Sequence, residues 1–185
     1  MKSALLVLVL LLLSGCSAGT EAVDKPMQLR NQLLESEQCT FDATVTAHYP
    51  DTQYQFQLTC IVSETDVLSF TVTEPDSISG ISGQISSDGA AFTFDQQILA
   101  FPVLADDRLS PVSGPWIFYN TLRSGNLSGC LKNEKGYLLS IDDSFAEDPL
   151  HLQIQTNEAC IPVQAEIYYH ERMVLSLEIN SFTVV

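Results

Sequence analysis

From Thr40 onward the chain alternates apolar and polar residues with a period of two, in consecutive blocks separated by turn residues. Phe41, Ala43, Val45, Ala47 and Tyr49 alternate with Asp42, Thr44, Thr46 and His48. After Pro50-Asp51, the residues Tyr54, Phe56, Leu58, Cys60 and Val62 alternate with Gln53, Gln55, Gln57 and Thr59. Successive side chains of a strand point to opposite faces, so each block reads as a half-buried strand. A hairpin that pairs Val45 with Phe56 brings both apolar sets to one face, and a slip of one residue would turn a whole set out to solvent.

The pattern continues. A third strand over 66–74 places Leu68, Phe70 and Val72 on one side; matching them to Phe56 and Leu58 requires a turn of odd length or a bulge. Residues 75–83, with Gly80 and Gly83, read as a loop. Asp88-Gly89 is a two-residue hairpin signal that pairs Ile85 with Phe92 and Gly83 with Phe94, and 97–102 form one more short strand. Later strands fall at 127–132, 136–142, 150–156, 162–169 and 173–184. The last two join at His170-Glu171-Arg172, with Ile167 opposite Leu175 and Ala165 opposite Leu177.

Two segments have helical spacing instead. Residues 26–37 follow Asp24 as N-cap and Pro26 in the first turn, with Met27, Leu29, Leu33 and Leu34 as the apolar stripe. Residues 116–123 follow Ser110 or Ser113 as cap and Pro111 and Pro115, and stop at Gly125; they carry Trp116, Ile117, Tyr119 and Leu122. The expected fold is α+β and mainly β: ten or eleven antiparallel strands in one strongly curved sheet, a half-open barrel covered by an N-terminal and a central helix.

The N-terminus has its own logic. Lys2 precedes an apolar run from Ala4 to Leu13, and Ser14-Gly15 lead into Cys16. This is the layout of a secretory signal, and its end resembles the bacterial lipoprotein signal, in which the cysteine is acylated, for example with palmitate. The run of about ten residues is half of what a membrane span needs. The expected organisation is a signal peptide over 1–15, a lipidated Cys16 with a polar tether over 16–25, and a domain over 26–185. The expected location is extracytoplasmic, on the outer face of the cell membrane or on the outer membrane of a Gram-negative cell.

Removing 1–15 leaves 170 residues, enough for one domain with a core. That piece holds one lysine and no acid, so the formal charge moves from −15 to −16. Phosphate backbones repel such a surface, which argues against nucleic-acid binding. With Cys16 assigned to lipid, Cys39, Cys60, Cys130 and Cys160 can form two disulfides in any of three pairings, or remain buried thiols. Their spacing lacks the close pairs of a zinc site.

Motifs for chemistry are missing. There is no GxSxG elbow, HExxH, Walker loop or GxGxxG. His48, His151 and His170 fall beside turns or at a strand start and read as solvated. Asp106-Asp107, Asp142-Asp143 and Glu147-Asp148 lack the spacing and turn glycine of a calcium loop. No enzyme, metal or cofactor is expected.

Several pieces together resemble the LolA/LolB lipoprotein-carrier superfamily. These are the helix-then-hairpin start, Tyr54-Gln55-Phe56 before Leu68-Ser69-Phe70, and Glu74-Pro75 leading to Ile78-Ser79-Gly80-Ile81. Phe94-Asp95, Leu109-Ser110-Pro111 and Pro162-Val163-Gln164-Ala165-Glu166-Ile167 also fit. The resemblance implies a half-open barrel with helices over its mouth and a concavity for acyl chains or other hydrophobic ligands. Unlike the soluble carriers, this chain bears a lipoprotein signal and has neither Arg nor Lys in its first strand.

The aromatic alternation admits two readings. Phe41, Val45, Tyr54, Phe56, Phe70, Val72, Phe92, Phe94 and Trp116 either line a ligand cavity or fill a closed core, and barrel width decides between them. The first reading is a membrane-anchored, non-catalytic binder of a lipid or other hydrophobic ligand, with the Trp116 helix as gate. The second is an envelope protein-interaction or sensor module with a filled cavity, as among germination lipoproteins.

Overall fold

The structure, a computed structural model, describes residues 21–63, 67–86, 89–93 and 109–185. The strand at 97–102, Phe94 and Cys16 lie outside these. The chain opens with α1 (Glu21–Glu35) and then β1 (Gln38–His48), β2 (Gln53–Ser63), β3 (Leu68–Glu74), β4 (Ser82–Ser86) and β5 (Gly89–Thr93). A 3-10 turn (Pro111–Ser113) leads into α2 (Gly114–Ser124). Then come β6 (Asn126–Asn133), β7 (Gly136–Asp142), β8 (Leu150–Thr156), β9 (Pro162–Tyr169) and β10 (Arg172–Val184).

The ten strands form one antiparallel sheet in the order β5-β4-β3-β2-β1-β10-β9-β8-β7-β6, so the last strand closes back beside the first. Val45 pairs with Phe56, as the alternation requires. Five residues separate Val62 from its partner Leu68, the odd count that keeps both on one face, and a bulge at Gln57/Leu58 follows. Ile167 faces Leu175 and Ala165 faces Leu177.

Two turns differ from expectation. Gly83 pairs with Phe92 and Ile85 with Ala90, a register two residues from the expected one, because the strands close on Ser86 and Gly89 and leave 87–88 between them. A two-residue shift keeps every side chain on its face, so the alternation could not detect it. At the other hairpin Arg172 pairs with Tyr169, leaving a two-residue turn. His170 takes φ 54° there, and a bulge at Met173/Leu175 restores the core register.

α2 lies in the concavity. It packs on β1, β10, β9, β8 and β7. Eleven residues make a helix about 16 Å long, and four strand intervals span about 19 Å, so the sheet bends around it. Both ends press close. A Cβ on Gly114 would sit 2.9 Å from Leu175 Cδ1, and one on Gly125 would sit 2.8 Å from the Asp142 carbonyl. Pro115, Phe118, Tyr119, Thr121 and Leu122 are its buried side chains, while Trp116 and Ile117 are half-buried. Ser113 is the N-cap, but its hydroxyl donates back to Ser110 O and no side chain caps the helix.

α1 begins five residues before the expected domain start, with Asp24 inside it and not at its cap. Pro26 therefore sits within the helix, in its opening turns, where it removes one backbone donor. The buried stripe is Pro26, Leu29, Arg30 and Leu33, spaced i, i+3, i+4, i+7. Met27 and Leu34, expected on it, are 41 % and 54 % exposed. Among the described residues no helix is long and apolar enough to cross a membrane.

Candidate functional site

The concave face is one apolar surface from β4 to β7. Ile85, Leu68, Phe70, Val72, Phe56, Leu58 and Cys60 line its β2–β4 side, and Leu139, Ile141, Leu152, Ile154, Ala165 and Ile167 its β7–β9 side; all are buried. Between them, Phe118 of α2 meets Phe41 edge-on at 5.6 Å between ring centroids and Phe182 at 6.3 Å; Phe41 and Phe182 lie 5.9 Å apart. Edge-on contacts at this separation suit the ring quadrupoles.

Of the cavity candidates, Phe41, Val45, Phe56, Phe70 and Val72 converge on this face with exposures of 0 to 3 %. They are packed core. Trp116 lies at the rim, half-buried against the same core. Tyr54 does not belong with them. It sits near the start of β2, is 46 % exposed and packs edge-on against Tyr49 at 5.5 Å. Phe92 holds its backbone place opposite Gly83.

Arg30 escaped the sequence reading. It lies on the buried stripe of α1 and donates from Nη2 to the carbonyl of Gly125, the residue that ends α2. The last carbonyls of a helix lack intrahelical partners and favour a cation. The hydrogen bond therefore holds the C-terminal end of α2 against α1. A charged residue among Leu29 and Leu33 carries no core signal by hydropathy, and the partner is 95 residues away.

The four cysteines are thiols in this structure. Cys39 pairs with Val62 and Cys60 with Phe41, so the two sulfurs lie on a diagonal of the β1–β2 ladder. Such diagonals separate Cα atoms by roughly 7–8 Å, wider than the usual span of a disulfide. Burial pushes the Cys39 thiol up to about 12 and the Cys60 thiol up as well. Cys130 and Cys160 lie near one another at the opposite wing, also with raised pKa values caused first by burial.

The convex face carries the polar half of the alternation. Two of the three histidines expected to be solvated, His48 and His151, have partners there, while His170 is exposed in the β9–β10 turn. His48 Nε2 lies 3.0 Å from Ser176 Oγ, and Gln53 Nε2 donates to His48 Nδ1 at 3.0 Å. His151 Nδ1 lies 2.8 Å from Asp142 Oδ1. The Ser176–His48 contact has nucleophile-and-base spacing but the opposite polarity. With Nδ1 accepting from Gln53, the proton resides on Nε2 and is donated to Ser176, whereas a general base must accept there. Asp143 Oδ1 accepts from the Leu150 N–H, which ties down its own loop. Among the described residues no group of His, Cys, Asp and Glu is arranged to hold a metal ion. An open groove of about 500 Å3 lies between the end of α1 and Val184-Val185, with Gln32, Glu35 and Glu37 also on its lining.

No family model and no curated protein matches this sequence. Among solved structures, the chain is similar to a LolA superfamily protein from Nitrosomonas europaea, with 9% identity and a TM-score of 0.47 over 92% of this chain and 94% of that one. It is similar to an uncharacterized conserved protein from Thermus thermophilus, with 10% identity and a TM-score of 0.46 over 91% and 88%. It is also similar to the lipoprotein LppX of Mycobacterium tuberculosis, with 11% identity and a TM-score of 0.40 over 89% and 96%. Likeness at this level assigns no residue, ligand or activity.

Proposed function

We propose that the mature chain is an extracytoplasmic protein, anchored through lipidated Cys16, that binds an acyl chain or similar hydrophobic ligand between α2 and the concave face without performing chemistry on it. The seating of α2 carries this reading. Among the described residues, one short helix and no second sheet lies over β1 and β7–β10. It rests there on the Phe41–Phe118–Phe182 cluster and the Arg30 hydrogen bond. Lifting α2 exposes Phe41, Val45, Leu175 and Leu177 as an apolar trough, and a ligand chain would replace the helix contacts. Trp116 and Ile117 at the rim mark the side on which the helix yields. Protein extracted from its membrane and examined by native mass spectrometry should retain a lipid, and fatty-acid titration should shift Trp116 emission to the blue. Absence of both overturns the reading.

The near-zero exposure of the concave aromatics favours a second reading, a module with a filled interior that holds another envelope protein on its outer surface. A crosslinked envelope partner, together with no retained lipid, selects it.

A further inference from the structure

The strand directions place two unlike sets of loops at the two ends of the β6–β9 wing. At one end lie the β6–β7 turn, the β8–β9 loop and the first turns of α1. They touch. Lys25 Nζ donates to the Glu158 carbonyl at 3.3 Å. Asn133 Nδ2 donates to Gln155 Oε1 at 2.8 Å. A Cβ on Gly136 would collide with the backbone of Thr156 and Asn157. At the other end lie the β7–β8 loop and the β9–β10 turn.

Charge divides accordingly. The α1 end carries Lys25, Lys132 and Lys135 against Glu21, Asp24, Glu134 and Glu158. The far end carries Asp142, Asp143, Glu147, Asp148 and Glu171 against Arg172. In a chain of net charge −15, the α1 end is therefore close to balanced, with three bases against four acids, and the far end strongly negative. Leu131 is 61 % exposed and Ile161 41 % exposed at the α1 end, and Phe145, in the β7–β8 loop at the far end, is 89 % exposed.

The length of chain ahead of α1 decides what this end meets. Glu21 is five residues after Cys16, so the start of α1 stays within about 18 Å of the lipidated residue. A bilayer held that close is present at high effective concentration. We propose that the balanced end rests on the surface of the anchoring bilayer. Leu131 and Ile161 enter the headgroup layer, Lys132 and Lys135 extend to lipid phosphates, and the acidic β7–β8 loop points away. Long basic side chains suit this arrangement because their stems lie along apolar surface while their heads stay wet. The proposal rests on the Cys16 anchor of the preceding subsection.

The test couples the mature chain through Cys16 to a maleimide phospholipid in vesicles of phosphatidylcholine and phosphatidylglycerol. A Cys130→Ser background leaves only buried thiols besides Cys16. A Trp116→Phe background receives Leu131→Trp, Ile161→Trp or Phe145→Trp, with brominated acyl chains as quenchers. For residues entering the interface by ~5–10 Å, the first two should lose about half their emission and Phe145→Trp almost none. Lys132→Glu with Lys135→Glu should weaken quenching at Leu131→Trp. Unquenched emission at Leu131→Trp and Ile161→Trp, or equal quenching at Phe145→Trp, overturns the proposal, as does a protein crosslinked at Leu131 in place of lipid. Mass analysis of Cys16 in protein extracted from cells tests natural acylation separately, so failure of the anchor and failure of the orientation are distinguishable.

Discussion

β2–β4 and β7–β9 turn equally apolar faces inward, yet the two wings of the sheet are built under different constraints. α2 is pressed against β7 at Gly125 and against β10 at Gly114, positions where a Cβ would collide with backbone or core. Even the turns of that wing are crowded: Gly136 has φ 140° and no room for a side chain. Gly80, in the β3–β4 connection, also has positive φ, at 86°, but nothing lies within 4 Å of its missing Cβ. Among the described residues, the glycines of the β7–β10 wing show close approach between elements, and Gly80 beside the β2–β4 wing does not. The apolar alternation is the same in both, so it cannot be the source of the difference.

Substitutions can break this contrast, and the largest effect belongs to the two glycines. Gly136→Ala should cost about 4 kcal/mol or more, since backbone at Asn157 must move, whereas Gly80→Ala should cost only ~1–2 kcal/mol of left-handed strain. Urea titrations giving equal losses would erase the distinction. Phe118→Ala should cost ~3–5 kcal/mol, because the hole it leaves is bounded by strands that cannot collapse. Arg30→Met should follow at ~1.5–3 kcal/mol, the range for a hydrogen bond to a charged group; a neutral outcome in thermal melts would show that α2 is seated by packing alone.

A smaller, pH-dependent effect marks the β1–β2 side. The Cys39 thiol rises from 9.0 to about 12 on folding. Above pH 9 the unfolded chain releases this proton while the folded one keeps it, so stability should fall as pH rises from about 9 towards 12, by roughly 1.4 kcal/mol per pH unit for one thiol. Cys39→Ala should remove that one-thiol share and leave the share of Cys60, so the slope becomes shallower without vanishing in denaturation curves taken across the range. At the lower limit, Leu34→Ser, on the exposed side of α1, should stay within ~0.5 kcal/mol.

Much of the fold was legible. The Val45–Phe56 and Ile167–Leu175 pairings followed from a period of two bounded by turn residues, because a one-residue slip would bury polar side chains. What escaped was insensitive to that rule. The β4–β5 register moved by two residues, which changes no face. Met27 and Leu34 looked like core by hydropathy, while Arg30 took the buried position because the end of α2 needed a donor. Tyr54 shared the face of Phe56 but lay too near the strand end to be covered.

Strand order along the chain, the inward face of each strand and the two helices were written in local spacing, since period and turn chemistry act over a few residues. The seat of α2, the burial of Arg30, the crowding at Gly136 and the meeting of His48 with Ser176 were decided only by the assembled sheet. Each depends on residues tens of positions apart approaching within a few ångströms, and no local pattern encodes such an approach.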